Sequence, residues 1–207
     1  MKHNGFEYID LGLPSGTKWA TCNVGADSET DCGLYFSWGE TKGYSVNANT
    51  KKFSLNDYKF SKFGSNKPTK YNCTDGKKVL DLEDDAAQAN MGGKWHMPTR
   101  EEIIELRSNT IKNWVTNYNG SGINGCLVIS KKDYNKKLFF PAYGHIDNCH
   151  SLSLGSRINF WSNSISCFGG YYYSTFCSFK SCIMSVFGDY RFIGMNVRGV
   201  FNTFWMK

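Results

Sequence analysis

The residues best suited to chemistry lie in the last third of the chain, where aromatic, hydroxyl and amide side chains follow one another. Tyrosine and phenylalanine offer large contact areas with few rotatable bonds, and serine, glycine and asparagine add adaptable hydrogen bonding, as in antibody binding surfaces. The stretch from Tyr171 onward has this composition. Because large exposed apolar patches are rare on monomers, an exposed aromatic cluster here would mark an interaction site.

A pattern of period two places part of this surface on a strand. Ile183, Ser185 and Phe187 alternate with Met184 and Val186, which predicts that the first three face outward and the other two face the core. The predicted ligand-binding surface comprises Tyr171, Tyr172, Ser174, Ile183, Ser185, Phe187, Asp189, Tyr190, Phe192 and Ile193.

Other site chemistries find little support. The chain has eight cysteines and four histidines but no C-x-x-C pair, and the histidines form no ligand-spaced set with the cysteines. No nucleophile elbow occurs either. We therefore predict no metal, no cofactor and no catalytic residue, and we expect reduced cysteines that pack as small apolar residues.

Charge and hydropathy exclude two classes of partner. The net charge is +6, but the lysines are dispersed and form no dense basic stripe, so nucleic-acid binding is not expected. No run approaches the roughly 20 apolar residues of a membrane span, so membrane insertion is not expected. The start of the chain does not resemble a signal peptide, which leads us to expect synthesis and assembly in the cytoplasm, unless a leader has been removed.

The first half of the chain contains signals for one hairpin and two helices. Tyr8–Leu13 and Lys18–Val24 predict an opening β-hairpin, and residues 41–78 predict a long polar surface excursion. A short helix is expected within Leu80–Asn90. A second is expected from Thr99, where Thr99 and Glu102 can form a capping box, to about Asn113, with Ile111 on its buried face.

Strand signals dominate the second half. Cys126–Ile129 and Lys137–Phe140 predict strands joined by a basic turn, and Met195–Phe201 predicts a final strand. Asp189 and Tyr190 are predicted to lie on a turn. With two or so helices, small antiparallel sheets, long loops and no internal repeat, the sequence predicts an α+β fold in a single domain, residues 1–207.

Several segments, in the same order, resemble one known family. They are EYIDLGLPSGTKWATCNVGA, YFSWGE, LEDDAAQANMGGKWHMPTREEIIEL, LFFPAYG, FWSNS and GMNVRGV. Together they resemble the paralogous domain abundant in gut Bacteroidetes and Fibrobacter, which has a C-type-lectin-like fold. The resemblance extends from Glu7 to Val200.

Some members of that family are variable proteins of diversity-generating retroelements, in which adenine-directed mutagenesis rewrites codons near the C-terminus. The resemblance implies that residues 145–194 form a variable ligand-binding region. It also implies fixed positions within this region and just after it: the Phe160-Trp161-Ser162 anchor, Arg191, Gly194 and Val197-Arg198.

The residue types offer a check on this resemblance. Randomising both adenines of an AAC codon can produce Tyr, Phe, Cys, Ser, Asn, Asp, Gly, His, Ile and others, but never Lys, Glu, Gln, Met or Trp. Between His145 and Ile193 only Trp161, Lys180 and Met184 depart from that rule. Cysteine is also a product of such a codon, so the late cysteines need not form a disulfide framework.

The resemblance implies a protein or glycan ligand on a target cell, with the protein carried on a phage or prophage virion or on a cell surface. A non-diversified lectin-like adhesion or structural module is the alternative. Residues 97–102 and Val197-Arg198 also resemble formylglycine-generating enzymes, but the chain has no motif for their redox cysteine pair. The Glu-Pro-Asn, Gln-Pro-Asp and Trp-Asn-Asp strings of calcium-dependent lectins are absent.

Overall fold

A computed structural model describes residues 1–46, 52–62, 67–148, 150–166 and 173–202. Within these residues the chain forms two α-helices and several small antiparallel sheets, which confirms the predicted α+β class. None of the described helices has the length and apolar character needed to cross a membrane.

The strands are β1 Lys2–His3, β2 Phe6–Ile9, β3 Lys18–Ala20, β4 Thr110–Val115, β5 Gly125–Ser130, β6 Lys137–Pro141, β7 His145–Asp147, β8 His150–Leu152, β9 Ile158–Ile165, β10 Tyr173–Lys180, β11 Ile183–Tyr190 and β12 Val200–Phe201. The helices are α1 Ala86–Met91 and α2 Arg100–Asn109, and short 3₁₀ turns occur at Leu55–Asp57, Leu82–Asp84 and Tyr118–Gly120.

The predicted opening hairpin is confirmed, with β2 antiparallel to β3, although both strands are shorter than predicted. β2 ends at Ile9 because the Asp10 carboxylate accepts a hydrogen bond from the Gly12 amide at 2.8 Å, and Gly12 adopts a φ of +67°. The predicted final strand, Met195–Phe201, is limited to β12, which pairs with this hairpin, since Val200 lies opposite Trp19. The two ends of the described chain therefore share one sheet, in the order β1-β2-β3-β12.

The capping-box helix is confirmed at its start and corrected at its end. The Thr99 hydroxyl accepts from the Glu102 amide, and the Glu102 carboxylate accepts from the Thr99 amide, as in a capping box. The helix ends at Asn109 rather than near Asn113. Residues from Thr110 onward form β4 instead, and Ile111 pairs with Ile129 of β5, because backbone pairing to β5 competes with continuation of the helix.

The expected helix in residues 80–90 is also shorter than predicted. A 3₁₀ turn at Leu82–Asp84 precedes α1, whose N-cap is Asp85, with its carboxylate accepting from the Gln88 amide at 2.9 Å. Gly92 ends the helix at a φ of +64°. The acidic residues before Ala86 form the 3₁₀ turn and the N-cap instead, and the glycine leaves room for fewer than two full helical turns.

The prediction that the polar stretch at residues 41–78 is a surface excursion is wrong for four of its aromatic residues. Phe53, Tyr58, Phe60 and Tyr71 are all buried. The Tyr58 hydroxyl donates to the Trp38 carbonyl at 2.8 Å, so the segment folds back onto the core despite its lysine content. The sequence does not indicate this burial, because isolated aromatic residues without periodicity do not show which of them face the core.

The sheet β9-β10-β11 lies at the centre of the molecule and is covered on both faces. One face of β9 and β10 contributes Trp161 and Phe176 to a core with Trp38, and the other contributes Phe160 and Phe179 to a second core. Helix α2 contacts all three strands on the second side. The six residues from Ser174 to Phe179 are therefore all buried, and β11 is left as the accessible strand.

Candidate functional site

The strand β11 exposes the side chains that the alternation predicted. Ile183 and Phe187 are 70% and 54% exposed, whereas Met184 between them is 5% exposed and packs in the second core. Ser185 and Val186 are half-buried, and Val186 packs against the same core. The predicted orientation of the strand is thus confirmed, because β11 lies at the edge and only one side of it faces the core.

The predicted turn at Asp189 and Tyr190 is wrong, since both residues belong to β11. Tyr190 lies opposite Tyr173 and Asp189 lies opposite Ser174 in the antiparallel pairing with β10. Their pairing partners could not be identified without the hairpin register. The strand ends at Tyr190, and the chain turns into the core from Arg191.

Strand geometry divides the accessible side chains into two groups, because successive residues point to opposite sides. Ile183, Ser185, Phe187 and Asp189 form the first group, which we call the outward row. Tyr190 lies on the other side.

Three rings form the second group, which we call the aromatic ladder. The Tyr173 and Tyr190 ring centroids are 4.8 Å apart, and Phe192 stacks on Tyr190 with centroids 5.2 Å apart. A hydrogen bond to Tyr190 raises the pKa of the Tyr173 hydroxyl. Tyr190 is 42% exposed and the other two rings are half-buried, so the ladder presents ring faces and hydroxyls together.

A chain of rings connects the outward row to the core. Phe187 lies 6.0 Å from Phe176, and Phe176 lies 6.1 Å from Trp161, centroid to centroid. Trp161 is fully buried and its indole nitrogen donates to the Phe36 carbonyl at 2.8 Å. The exposed Phe187 ring is therefore supported by rings that cannot move easily.

Two of the ten predicted site residues are buried. Ser174 is fully buried, because it lies on the central strand between Ile165 and Asp189, and Ile193 is 5% exposed because it packs in the first core. Their placement on the ligand surface is corrected accordingly. Tyr171 and Tyr172 lie outside the described residues.

Charged groups adjoin one end of the outward row. Burial raises the pKa of the Asp189 carboxyl, and the nearby Asp147 charge adds to this, while His145 opposes it. Burial lowers the pKa of His145, partly offset by the charges of Asp189 and Asp147. His145 also shares a 3.0 Å hydrogen bond with the Asn159 amide. This end of the surface is polar and mildly acidic, whereas the Ile183 end is apolar.

The positions expected to be fixed are buried and hold the backbone around β11. Arg191 is 2% exposed, its guanidinium lies 4.7 Å over the Trp38 ring, and it donates to the Tyr71 carbonyl at 3.0 Å. At Gly194 a Cβ atom would meet the Phe53 ring at 2.7 Å, so a larger residue would displace that ring. These contacts set where β11 ends and how the chain returns to the core.

Arg198 is a second buried arginine that fixes the backbone, and we call these buried fixed residues (Trp161, Arg191, Gly194 and Arg198) the frame. The Arg198 guanidinium is fully buried and donates to the Asn23 side chain at 3.0 Å and to the carbonyls of Ala20, Thr21 and Phe139. All four acceptors are neutral. The arginine therefore joins the N-terminal hairpin to β6 and to the end of the chain.

Two residues that matter to the surface were missed in the sequence. Tyr173 extends the aromatic ladder and Phe176 supports Phe187. In the register that pairs Lys180 with Ile183, Tyr173 lies opposite Tyr190 and Phe176 lies opposite Phe187. The sequence does not indicate this register, because Ser181-Cys182 lacks the Asn-Gly pattern typical of a two-residue turn. Ser181 nevertheless adopts a φ of +55°.

The described cysteines agree with the expectation of reduced, apolar packing only in part. Cys22, Cys32, Cys73, Cys126, Cys177 and Cys182 are all free thiols. Cys126 and Cys177 are fully buried, and burial raises the pKa of both thiols, whereas Cys73 and Cys182 are exposed.

One acidic cluster has donor atoms close enough to hold a cation. Carboxylates of Asp81, Glu83 and Asp84 converge within 4.8 Å of one another. The Lys70 ammonium lies 2.9, 2.8 and 2.5 Å from these three groups, so a lysine occupies the position that a metal ion would take. The cluster is best explained as an ion-pair network.

A cavity of about 410 Å³ is lined by apolar residues, among them Leu80, Leu82 and Trp95, and by several polar ones. Two of its titratable lining residues, Asp85 and His96, have structural partners. Asp85 accepts from the Met97 amide, and His96 lies 3.4 Å from Glu102. Burial opposes charge on His96, but the hydrogen bond and charge of Glu102 outweigh it and raise the pKa of His96.

Comparison with known proteins finds no matching family model, no matching curated protein and no matching solved structure.

Proposed function

We propose that the protein is a ligand-binding variable protein of a diversity-generating retroelement, with a C-type-lectin-like fold, and that it binds through the outward row and the aromatic ladder. The observation that carries the proposal is a division of the C-terminal third. Residues expected to be fixed, such as Trp161, Arg191 and Arg198, are buried and hold the backbone, whereas Ile183, Phe187 and Tyr190 are exposed on β11.

Physical chemistry supports binding through this surface. The ladder combines three neighbouring rings with two hydroxyls, and Phe187 adds an exposed ring on a rigid support. Rings held in place lose little conformational entropy when a ligand binds, which favours affinity. Such a surface suits a protein or glycan ligand, by stacking and hydrogen bonding together.

The codon pattern supports diversification at individual positions, whereas composition describes only the region as a whole. Among the described residues of the predicted surface, the accessible ones are all products of a randomised AAC codon: Ile183, Ser185, Phe187, Asp189, Tyr190 and Phe192. Met184, which is not such a product, is buried between them. Residues 174–179 are buried, yet such a codon can encode all of their residue types as well. The codon pattern therefore supports diversification only at the exposed positions of β11, and not across the whole region.

Binding can be tested with labelled protein on an array of immobilised glycans and on a panel of intact bacterial cells. Phe187→Ala/Tyr190→Ala should lose binding with little change in the free energy of unfolding. Leu82→Ala/Tyr134→Ala is the matched control, because both residues are exposed and apolar or aromatic and lie outside β11. Equal binding by both double variants would refute this surface, and unfolding of the first at room temperature would refute its placement.

The single variants then divide the surface. Phe187→Ala removes a ring from the outward row, and Tyr190→Ala removes one from the aromatic ladder. A ligand that contacts only one side of the strand should respond to one of them alone.

Diversification is tested by sequencing the DNA around the gene. We expect a reverse transcriptase gene and a near-identical repeat of the region encoding residues 145–194, with differences confined to adenines of the repeat. Flanking DNA without either would favour a non-diversified adhesion or structural module. It would not affect the proposed binding surface, which the array experiment tests separately.

A further inference from the structure

β11 is the outermost strand of its sheet, whose order is β11-β10-β9. Among the described residues, no backbone segment other than β10 bonds to residues 183–189. An edge strand presents N–H and C=O groups that can pair with a further strand, and natural proteins often block such edges with lysine or proline. β11, with the sequence IMSVFGDY, contains neither.

We propose that β11 pairs with β11 of a second copy of this chain, antiparallel and about a two-fold axis. The pairing does not depend on the proposed function. A symmetric pair must be self-complementary, so that a residue on one copy meets its partner residue twice. The strand is suitable, because its eight residues contain one apolar side chain near each end of the outward row, at Ile183 and Phe187.

Side-chain burial selects one register. Opposite residues of an antiparallel pair lie on the same face, so residue numbers that pair must have an even sum. With Ser185 at the two-fold axis, Ile183 of each copy lies opposite Phe187 of the other, and the two most exposed residues of the row cover each other. Centring the pair on Val186 would set Ile183 against Asp189, and centring it on Phe187 would leave Ile183 opposite Arg191.

Charge favours the antiparallel orientation as well. Lys180 is exposed and lies opposite Ile183 in the hairpin, at one end of β11, and Asp189 lies near the other end. Antiparallel pairing brings the Asp189 end of one copy to the Lys180 end of the other, at both ends of the interface. Parallel pairing would bring like charges together.

The expected dimer is reversible. Pairing of a single strand from each copy buries less than the roughly 1,200 Å² of a standard stable interface, and such small interfaces are typical of transient complexes. In this pairing Ile183 and Phe187 shield each other side by side, while the face of the sheet that carries the outward row stays open to a ligand. The pairing would therefore join two binding surfaces side by side on one six-stranded sheet, and a ligand with repeated epitopes could engage both.

Sedimentation of the full chain at concentrations up to about 1 mM tests the association, since this range detects even weak dimers. We expect a monomer–dimer equilibrium that Ser185→Lys shifts to monomer by at least tenfold in Kd, because two ammonium groups would face each other across the axis. Ser151→Lys, on the exposed strand β8, is the matched control and should leave the equilibrium unchanged. A wild-type chain that stays monomeric throughout would overturn the proposal and leave the edge to a different partner strand.

Disulfide trapping tests the register in a Cys182→Ser background, which removes the exposed thiol of the hairpin turn. Opposite Cα atoms in an antiparallel pair are about 4.5 or 5.5 Å apart, within the roughly 4.4–6.8 Å that a disulfide spans. Ser185→Cys should therefore oxidise to a covalent dimer. Mass spectrometry should locate the new disulfide between the two introduced sulfur atoms, one from each copy.

Two variants serve as controls on the same strand. Ile183→Cys alone should not cross-link to itself, because the two positions lie four residues out of register, at roughly 13 Å. A mixture of Ile183→Cys and Phe187→Cys proteins should give the mixed disulfide. Cross-linking of Phe187→Cys to itself but not of Ser185→Cys would overturn the register, and equal cross-linking of all variants would show random collision and overturn the pairing.

Discussion

The two sides of β11 teach different lessons about the same eight residues. On the core side, Met184 and Val186 pack in the second core, on the face of the sheet that α2 contacts, and their neighbours are rings and buried thiols. On the other side, Ile183 and Phe187 are exposed although their residue types are just as apolar. Apolar character therefore does not separate the buried side of β11 from the proposed binding surface. Position relative to the two cores does.

The largest effect should come from the frame. Arg198→Ala leaves four buried acceptors without their donor, so we expect a loss of about 3–5 kcal/mol in the free energy of unfolding. Urea denaturation measures it, and Arg157→Ala, at an exposed arginine, should change stability by less than about 0.5 kcal/mol. Similar losses for both variants would show that Arg198 does not hold the frame.

Neighbouring residues on β11 provide the sharpest contrast. Met184→Ala removes buried methylenes and should cost about 2–5 kcal/mol, whereas Ile183→Ala, one residue away, should cost less than about 0.5 kcal/mol. Thermal and urea unfolding of the two variants under identical conditions make the comparison. If Ile183→Ala were the more destabilising of the two, the assignment of the two sides would be reversed.

A smaller loss of unfolding free energy is expected when Trp161 is replaced by another aromatic residue that lacks its indole N–H donor. Trp161→Phe leaves the Phe36 carbonyl without its 2.8 Å partner and reduces the buried volume, so we expect about 1–3 kcal/mol. Phe187→Trp is the control, because it exchanges the same two residue types at the exposed end of the same chain of rings. It should leave the free energy of unfolding nearly unchanged. Calorimetry of both variants would detect the difference.

The smallest effect should depend on pH. The pKa of His96 is raised in the folded protein, so its pairing with Glu102 stabilises the fold fully below the unfolded value of 6.5 and is lost as pH rises through the folded pKa. His96→Gln should therefore cost up to about 1 kcal/mol at pH 5.5 and progressively less at alkaline pH. Burial opposes charge on Glu102, but His96 outweighs it and lowers the pKa of Glu102, so this contribution also fades as pH falls through that lowered pKa.

Local signals predicted the short-range features of this fold well. The opening hairpin, the Thr99 capping box, the β5–β6 hairpin and the outward face of Ile183 and Phe187 all depend on neighbours within a few residues. The errors share a physical cause. Helix α2 stops at Asn109 because β5 pairs with the next residues, and Tyr58 is buried because a distant carbonyl accepts its hydroxyl.

The sequence by itself determined which side chains of β11 alternate, where α2 begins and which residue types are concentrated near the C-terminus, because these follow from chemistry within one turn or one strand. Only the tertiary structure decided that Ser174 and Ile193 are buried, that Tyr173 joins Tyr190, and that Phe187 and Tyr190 lie on opposite sides of the strand. Those outcomes depend on hairpin register and on two cores that enclose the central strand from both faces. Residues far apart in the chain establish both, and no local pattern records them.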